Sequence, residues 1–208
     1  LLDSHPQTAA VQPKILSFHH KERFEHAGAG GGYVDSLGYP FCRGRIFDHI
    51  EEDTGQYNDE LPVFWASGAC MVIRSEAFHT FGGFDEDFFA HMEEIDLCWK
   101  LHRAGQSIYY CGKSTIYHVG AGTLGYGNPR KVFLNFRNGL ALIYKHFTTR
   151  EILYKLPIRI FLDWVAASIF LLKGQKGSFK AVFQAHASFM KTLGTSRRKR
   201  KEIQLKYP

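Results

Sequence analysis

The chain has no Cys-x-x-Cys pair. Its four cysteines, Cys42, Cys70, Cys98 and Cys111, are widely scattered. That spacing argues against zinc and iron–sulfur sites, and against a disulfide framework in a chain of this size. A reducing compartment fits best. Cys70 and Cys98 stand among apolar residues and read as small core fillers. No apolar run reaches the roughly 18–20 residues needed to cross a bilayer. The longest candidate, 158–172, carries Arg159 and Asp163. No signal peptide is visible, and the chain opens on Leu1 rather than an initiator Met, so it need not begin at a natural start. The glycines at 28, 30, 31 and 32 lack a following Gly-Lys-Ser/Thr and a strand–GxGxxG–helix setting, so they read as a loop rather than a phosphate cradle.

The 208 residues suit one domain, or most of one with an appendage. Hydrophobic content of 45% and aromatic content of 15% are ample for a core, and no segment has a disordered composition. The net charge of +6 is uneven, with Arg197, Arg198, Lys199, Arg200 and Lys201 in one run. Such a run can be a solvated tail, or can meet nucleic acid or an anionic membrane surface. It lacks the interleaved aromatics and basic face of a nucleic-acid site, so no nucleic-acid partner is expected.

In chain order, residues 1–8 read as the end of a helix and 9–16 as a buried strand, with Pro13 marking an edge or bulge. Residues 27–44 read as a loop and 45–60 as an acidic, exposed connection. A strand over 63–73 is interrupted by Ser67-Gly68-Ala69, small residues that let another group approach the backbone. Ser75 can cap a short helix over 76–81, closed by Gly82. The central helix, 93–104, ends at Gly105. Two short strands, 108–111 and 115–118, are split by a Gly112-Lys113 turn, and a second glycine-rich loop covers 120–127. Asn128-Pro129 opens a helix with apolar residues at helical spacing, and Thr148 with Glu151 forms a capping box for the next. Pro157 predicts a kink or break in that helix before 158–172. A third helix covers 178–193. The segment 158–172 can lie in a membrane interface beside the basic run, or pack against a domain.

Glu93, Glu94 and Asp96 occupy the first turn of the central helix, where acids complement the helix dipole. Glu94 shares a face with Leu97, Cys98 and Leu101, so it should point inward or into a cleft, whereas Asp96 meets Lys100 and Arg103 in a solvated ion-pair pattern. A carboxylate against an apolar wall has a raised pKa and can act as a general base. His118 ends a strand before Val119-Gly120, a place from which a ring can reach a ligand or metal; a satisfied structural His is the alternative.

Taken together, Gly68-Ala69-Cys70-Met71-Val72-Ile73-Arg74, Gly82-Gly83-Phe84-Asp85-Glu86, Glu93-Glu94-Ile95-Asp96-Leu97-Cys98-Trp99, Arg103-Ala104-Gly105 and Tyr117-His118-Val119-Gly120 resemble, in order and spacing, the second half of a family 2 inverting glycosyltransferase of the bacterial rhamnosyltransferase, cell-surface polysaccharide type. Val11-Gln12-Pro13-Lys14-Ile15 resembles an upstream strand of that family, and Asn135-Phe136-Arg137-Asn138 the helix after its mobile loop.

The resemblance implies an α/β fold: a partial GT-A (nucleotide-diphospho-sugar transferase) fold with a mixed sheet, lacking its N-terminal nucleotide-binding half and followed by C-terminal helices. The expected parts are 1–127, the acceptor and catalytic-base half; 128–194, a helical region; and 195–208, a basic tail. Glu94 takes the base position, where the family more often has Asp, and Glu93 is the preceding acid of the pair. Trp65, Phe84 and Asp85 fall where the acceptor is held, although Trp65 fits a core equally. His118 matches a metal-shell histidine. The implied cofactor is a divalent metal, Mg or Mn, with its main ligands outside this chain. Asp85-Glu86-Asp87 spells the family's DxD but follows Gly-Gly-Phe rather than a buried strand, and reads as a decoy. The implied partners are a nucleotide-sugar donor, a saccharide or lipid-linked saccharide acceptor and a peripheral membrane contact, in the cytoplasm at the inner face of the cell membrane. Without a donor half, this chain alone should transfer little sugar. A non-catalytic glycan- or protein-binding module is the competing reading.

Overall fold

A computed structural model of the chain describes residues 1–25, 29–46, 49–120 and 128–207. They divide into two compact units, Leu1–Glu86 with Glu93–Gly122, and Asp87–Met92 with Thr123–Pro208.

The first unit contains strands β1 (Thr8–Ser17), β2 (Gly32–Val34), β3 (Pro40–Cys42), β4 (Arg45–Ile46), β5 (His49–Ile50), β6 (Glu60–Pro62), β7 (Val72–Ile73) and β8 (Ser107–His118), with helices α1 (Ser75–Thr80) and α2 (Glu93–Arg103). β1 and β8 run parallel at the centre of a sheet ordered β6-β8-β1-β7, and the two outer strands are antiparallel to them. This is the mixed sheet of an α/β unit. β1 is buried along nearly its whole length, whereas β8 is buried at Ile108, Tyr110 and Gly112 and open to solvent beyond them. β2 to β5 form a separate antiparallel meander, so 27–44 is not simply a loop. Residues 1–7 form turns leading into β1, with His5 N–H donating to Leu1 O at 3.0 Å, rather than a helix end.

Pro13 sits at a bulge. Pro13 pairs with Cys111 and Lys14 with Thr115, so residues 112–114 have no partner in β1. A proline cannot donate to the ladder, and the looped-out residues absorb the mismatch. The expected turn at Gly112-Lys113 is therefore a bulge inside one continuous strand. Gly112 donates to Asp59 O at 2.9 Å, and a Cβ there would overlap the Tyr57 carbonyl. Only glycine fits.

The expected strand over 63–73 is likewise not one ladder, because its backbone passes between three partners. Val63 N–H donates to Ile108 O (2.9 Å), Phe64 N–H to Gly32 O (2.8 Å) and Ser67 N–H to the buried Gln12 Oε1 (2.7 Å). Only Val72 and Ile73 return to β1.

α2 packs against β8 through a buried set that includes Ile95, Leu97, Cys98 and Leu101. Asp96 is also fully buried, contrary to the solvated position expected, and pairs with Lys100 at 3.0 Å. Burial pushes the Cys98 thiol up to about 12, so it is unreactive as a nucleophile. A thiol titration of the native chain at pH 8 should therefore leave Cys98 unlabelled, while the partly exposed Cys42, Cys70 and Cys111 react; denaturant should release the fourth thiol. Labelling of Cys98 in the native state would contradict this packing.

The second unit is helical: α3 (Pro129–His146), α4 (Thr149–Leu172), α5 (Lys176–Lys191) and α6 (Leu193–Lys206). Asn128 Oδ1 accepts from Arg130 N–H, with Pro129 at the first helical position. The Thr148–Glu151 capping box is present in both directions. Lys155 first, then the Thr148 backbone, hold the Glu151 carboxyl down at about 2. Its stabilising effect is complete above its ordinary value near 4.5 and is lost as pH falls toward 2. α4 runs through Pro157 without a break. α3 and α5 share the buried side chains Leu140, Ile143, Val182 and Phe189.

The basic run is a helix, not a solvated tail. Arg200 in α6 is buried; it donates to Tyr144 O at 2.7 Å and to Phe147 O, and so caps the C-terminus of α3. Lys199 pairs with Asp87. The glycine-rich loop expected over 120–127 lies outside the described residues from position 121 onward.

Candidate active site

The acidic pair opens α2. Glu93 and Glu94 are its first two residues, half-buried, at the end of the helix where the unpaired N–H groups carry partial positive charge. Glu93 Oε2 is shielded from solvent and, among the described residues, accepts no hydrogen bond. Glu94 lies beside Gly68: a Cβ at Gly68 would sit 4.0 Å from Glu94 Cβ, Cγ and Cδ. The group that the small residues 67–69 admit is thus the Glu94 side chain. Behind it the 67–69 turn is fixed by the bond from Ser67 N–H to Gln12 of β1, and by Ala69 N–H donating to Ser67 Oγ at 3.1 Å. The structure therefore brings together β1, a small-residue turn and a carboxylate at a helix start.

His118 ends β8 and meets a partner that sequence reasoning missed. Its Nδ1 lies 3.1 Å from Oε2 of Glu25, a buried carboxylate 93 positions earlier in the chain. Gly120 approaches the same carboxylate so closely that a Cβ there would overlap Glu25 Oε1. When Nδ1–H donates to a carboxylate, the imidazole is held in the tautomer that leaves the Nε2 lone pair for a ligand. The donor chemistry of His118 thus fits one metal ligand. Among the described residues, no group of three or more His, Cys, Asp or Glu forms a metal cluster. Asp85-Glu86-Asp87 leads into a short 3-10 turn (Glu86–Phe88), and the Asp87 carboxylate is taken by Lys199.

The aromatic candidates separate. Trp65 is only 7% exposed; its indole covers Gly32, and Nε1–H donates to Tyr33 O at 2.8 Å. Of the two readings open to it, the structure supports the core. Phe84 is 43% exposed and packs edge-on against Phe78 of α1, ring centroids 5.3 Å apart, next to the half-buried Asp85. A further aromatic group was not anticipated: Phe64 stacks on His102 at 4.8 Å and meets Trp99 edge-on at 5.1 Å. Burial lowers the pKa of His102, which is engaged with Phe64 O at 2.8 Å.

The segment leading into α2 belongs to the helical unit and is strained. Phe89, His91 and Met92 have φ of 64°, 68° and 76°, a region that costs roughly 1–2 kcal/mol for a residue with a Cβ. It is held by α3. Asn138 Nδ2 donates to Phe88 O (3.0 Å), Ala90 O (2.8 Å) and His91 O (2.7 Å), while Arg137 donates to Asp87 O and Phe88 O, both at 2.8 Å. The Asn-Phe-Arg-Asn stretch in the sequence was the available signal for this clamp.

The chain is 41% identical over 66 residues to an N-acetylglucosaminyl-diphospho-decaprenol L-rhamnosyltransferase of Mycobacterium tuberculosis, a match covering 32% of this chain and 22% of that protein. It is 39% identical over 54 residues to a rhamnosyltransferase of Escherichia coli K12, covering 26% and 20%. Over these stretches the chain is similar to bacterial rhamnosyltransferases. A low-salt glycan biosynthesis hexosyltransferase of Haloferax volcanii adds 31% identity over 85 residues, covering 40% of this chain and 28% of that protein. The matches thus span between a fifth and just over a quarter of these glycosyltransferases. No protein-family profile matches the chain.

Proposed function

We propose that this chain is the acceptor-side, base-bearing part of an inverting glycosyltransferase of cell-surface polysaccharide assembly, built on part of a GT-A fold. The observation that carries the proposal is the Glu93–Glu94 pair at the start of α2, with Glu94 set against the Gly68 turn. Glu94 accepts the proton of an acceptor hydroxyl. The freed oxygen attacks the anomeric carbon of a nucleotide sugar from the face opposite the diphosphate. The new C–O bond forms as the bond to the diphosphate breaks, and the configuration inverts. Glu93, beside it, adds negative potential that favours proton uptake by its neighbour. Phe84 presents an exposed ring suited to the apolar face of a sugar, and Asp85 a carboxylate for its hydroxyls.

His118, oriented by Glu25, would supply one ligand to a divalent ion, the remaining ligands coming from outside the described residues. The chemistry supplied at such a site, when loaded, would be charge neutralisation on the departing diphosphate. Orienting carboxylates of this kind typically contribute 10–100-fold to metal affinity. Glu25→Gln should therefore weaken Mn²⁺ binding by about 10- to 100-fold in an enzyme joining this chain to a donor half, read by Mn²⁺ electron paramagnetic resonance. Unchanged affinity would remove Glu25 from that role.

The acceptor is a saccharide or a lipid-linked saccharide; the mycobacterial relative's name contains N-acetylglucosaminyl-diphospho-decaprenol, a sugar linked to a lipid through a diphosphate. An acceptor of that kind would put the reaction at the inner face of the cell membrane. The test is transfer across a panel of UDP-, GDP- and dTDP-sugars with Mn²⁺ or Mg²⁺, for this chain alone and joined to a nucleotide-binding half. Turnover only in the joined protein supports the proposal. Turnover in neither favours a non-catalytic binding module.

A further inference from the structure

α4 is built inside out. Its buried positions are Arg159 (3% exposed), Asp163 (1%) and Ala167, with His186 Nε2 of α5 3.0 Å from Asp163 Oδ2 and the Arg159 guanidinium reaching Gly139 of α3. Beyond the first turn its exposed positions are apolar except Ser168, whose hydroxyl donates back to Trp164 O at 3.0 Å. Tyr154, Ile158, Phe161, Trp164, Val165 and Ile169 are each more than two-fifths exposed, with Phe161 at 62% and Trp164 at 50%. Their spacing of three and four residues puts them on one face. Charged residues within α4 beyond its first turn are Lys155, Arg159 and Asp163, and none falls in that stripe; Lys155 folds back onto Glu151 and over the Phe147 ring. An exposed apolar stripe running nearly the length of a 24-residue helix exceeds what a water-facing surface ordinarily carries.

Charge selects the occupant. The helical unit, Asp87–Met92 with Thr123–Pro208, contains 17 Lys and Arg against four Asp and Glu. Exposed Arg150 stands before the stripe, and exposed Lys173 and Lys176 follow it. A second copy docked through the same face of its helical unit would bring like charge against like. An anionic bilayer supplies both what the stripe lacks, an apolar phase, and what the flanking cations lack, counter-charge. Among the described residues no helix is long and apolar enough to cross a membrane. We infer that the exposed face of α4 is a membrane-docking surface, on which the helix lies in the plane of an anionic lipid bilayer. This gives the membrane contact proposed above a location, but it stands on the helical unit alone and not on the transfer chemistry.

The experiment is flotation of the full chain with vesicles of phosphatidylcholine alone, or of phosphatidylcholine with about 30% phosphatidylglycerol, which gives the surface a negative potential. Binding should require the anionic lipid and fall by about tenfold or more as salt rises from 0.05 to about 0.5 M. The double substitution Phe161→Ser with Trp164→Ser should lose binding by about tenfold or more while its circular dichroism and melting curve stay unchanged, since neither ring is part of the core. Trp164 fluorescence should shift to the blue on vesicle addition and be quenched by brominated lipid, a change absent from Trp164→Phe. Absence of binding to either vesicle, or binding unaffected by the double substitution, would overturn the inference. So would a concentration-dependent dimer abolished by the same substitutions, which would assign the stripe to self-association. Any of these results leaves the Glu94 chemistry intact.

Discussion

Glu94→Gln is expected to lower sugar transfer by about 10²–10⁴-fold in an enzyme that joins this chain to a nucleotide-binding half, the usual range for losing a positioned general base. Glutamine keeps the shape of the side chain that lies against Gly68, so the turn and the helix start should be undisturbed and the melting temperature should move little. The loss should fall on kcat, because the proton is taken in the transition state and not in the ground state. Glu94→Asp separates chemistry from reach. Aspartate is the residue the family more often places there, and this variant should retain far more activity than the amide. Initial rates at saturating donor, with the melting curve of each variant as a control, decide the matter. Turnover of Glu94→Gln within tenfold of the parent would remove Glu94 from the base role.

Asn138→Leu is expected to destabilise the helical unit by about 2–4 kcal/mol, although the two side chains are close in volume. One fully buried amide serves the carbonyls of Phe88, Ala90 and His91, and leucine would leave all three without that donor. The same bonds hold Phe89 and His91 in left-handed backbone conformations that the chain would otherwise leave. The substitution should therefore do two things at once: lower the denaturant midpoint, and raise amide exchange across 88–92 by more than the global change explains. A loss under about 0.5 kcal/mol, with exchange unchanged, would show that Arg137 alone suffices.

The local features were legible in the sequence because their causes are local. α2 with its acidic first turn, the Asn128-Pro129 start, the Thr148–Glu151 box and the bulge at Pro13 each follow from a few adjacent residues. What escaped was long-range. Glu25 meets His118 across 93 positions, and Lys14, in a strand that reads as apolar, is buried against Asp53 at 2.8 Å. No periodicity announces such pairs. Asp96 shows the limit of helical spacing: the i,i+4 relation to Lys100 was right, but the same pair occurs in solvent or in a core, and only the surrounding sheet decides which. The two strands inferred around Gly112 failed for a related reason, since glycine marks a bulge as readily as a turn. Trp65 was ambiguous because an aromatic that can hold a sugar can equally cover a glycine.

The cap that Arg200 places on α3 bears on how the gene is trimmed. Residues 195–207 look dispensable on a charge plot, and a fragment ending at Gly194 would be a natural choice for expression. That fragment would leave the carbonyls of Tyr144 and Phe147 without the guanidinium that closes them, and Asp87 without Lys199. The C-terminal helix works as a clasp, fastened to the end of α3 by Arg200 and to Asp87 by Lys199. Its removal should yield a loosened product, however clean the boundary looks on paper.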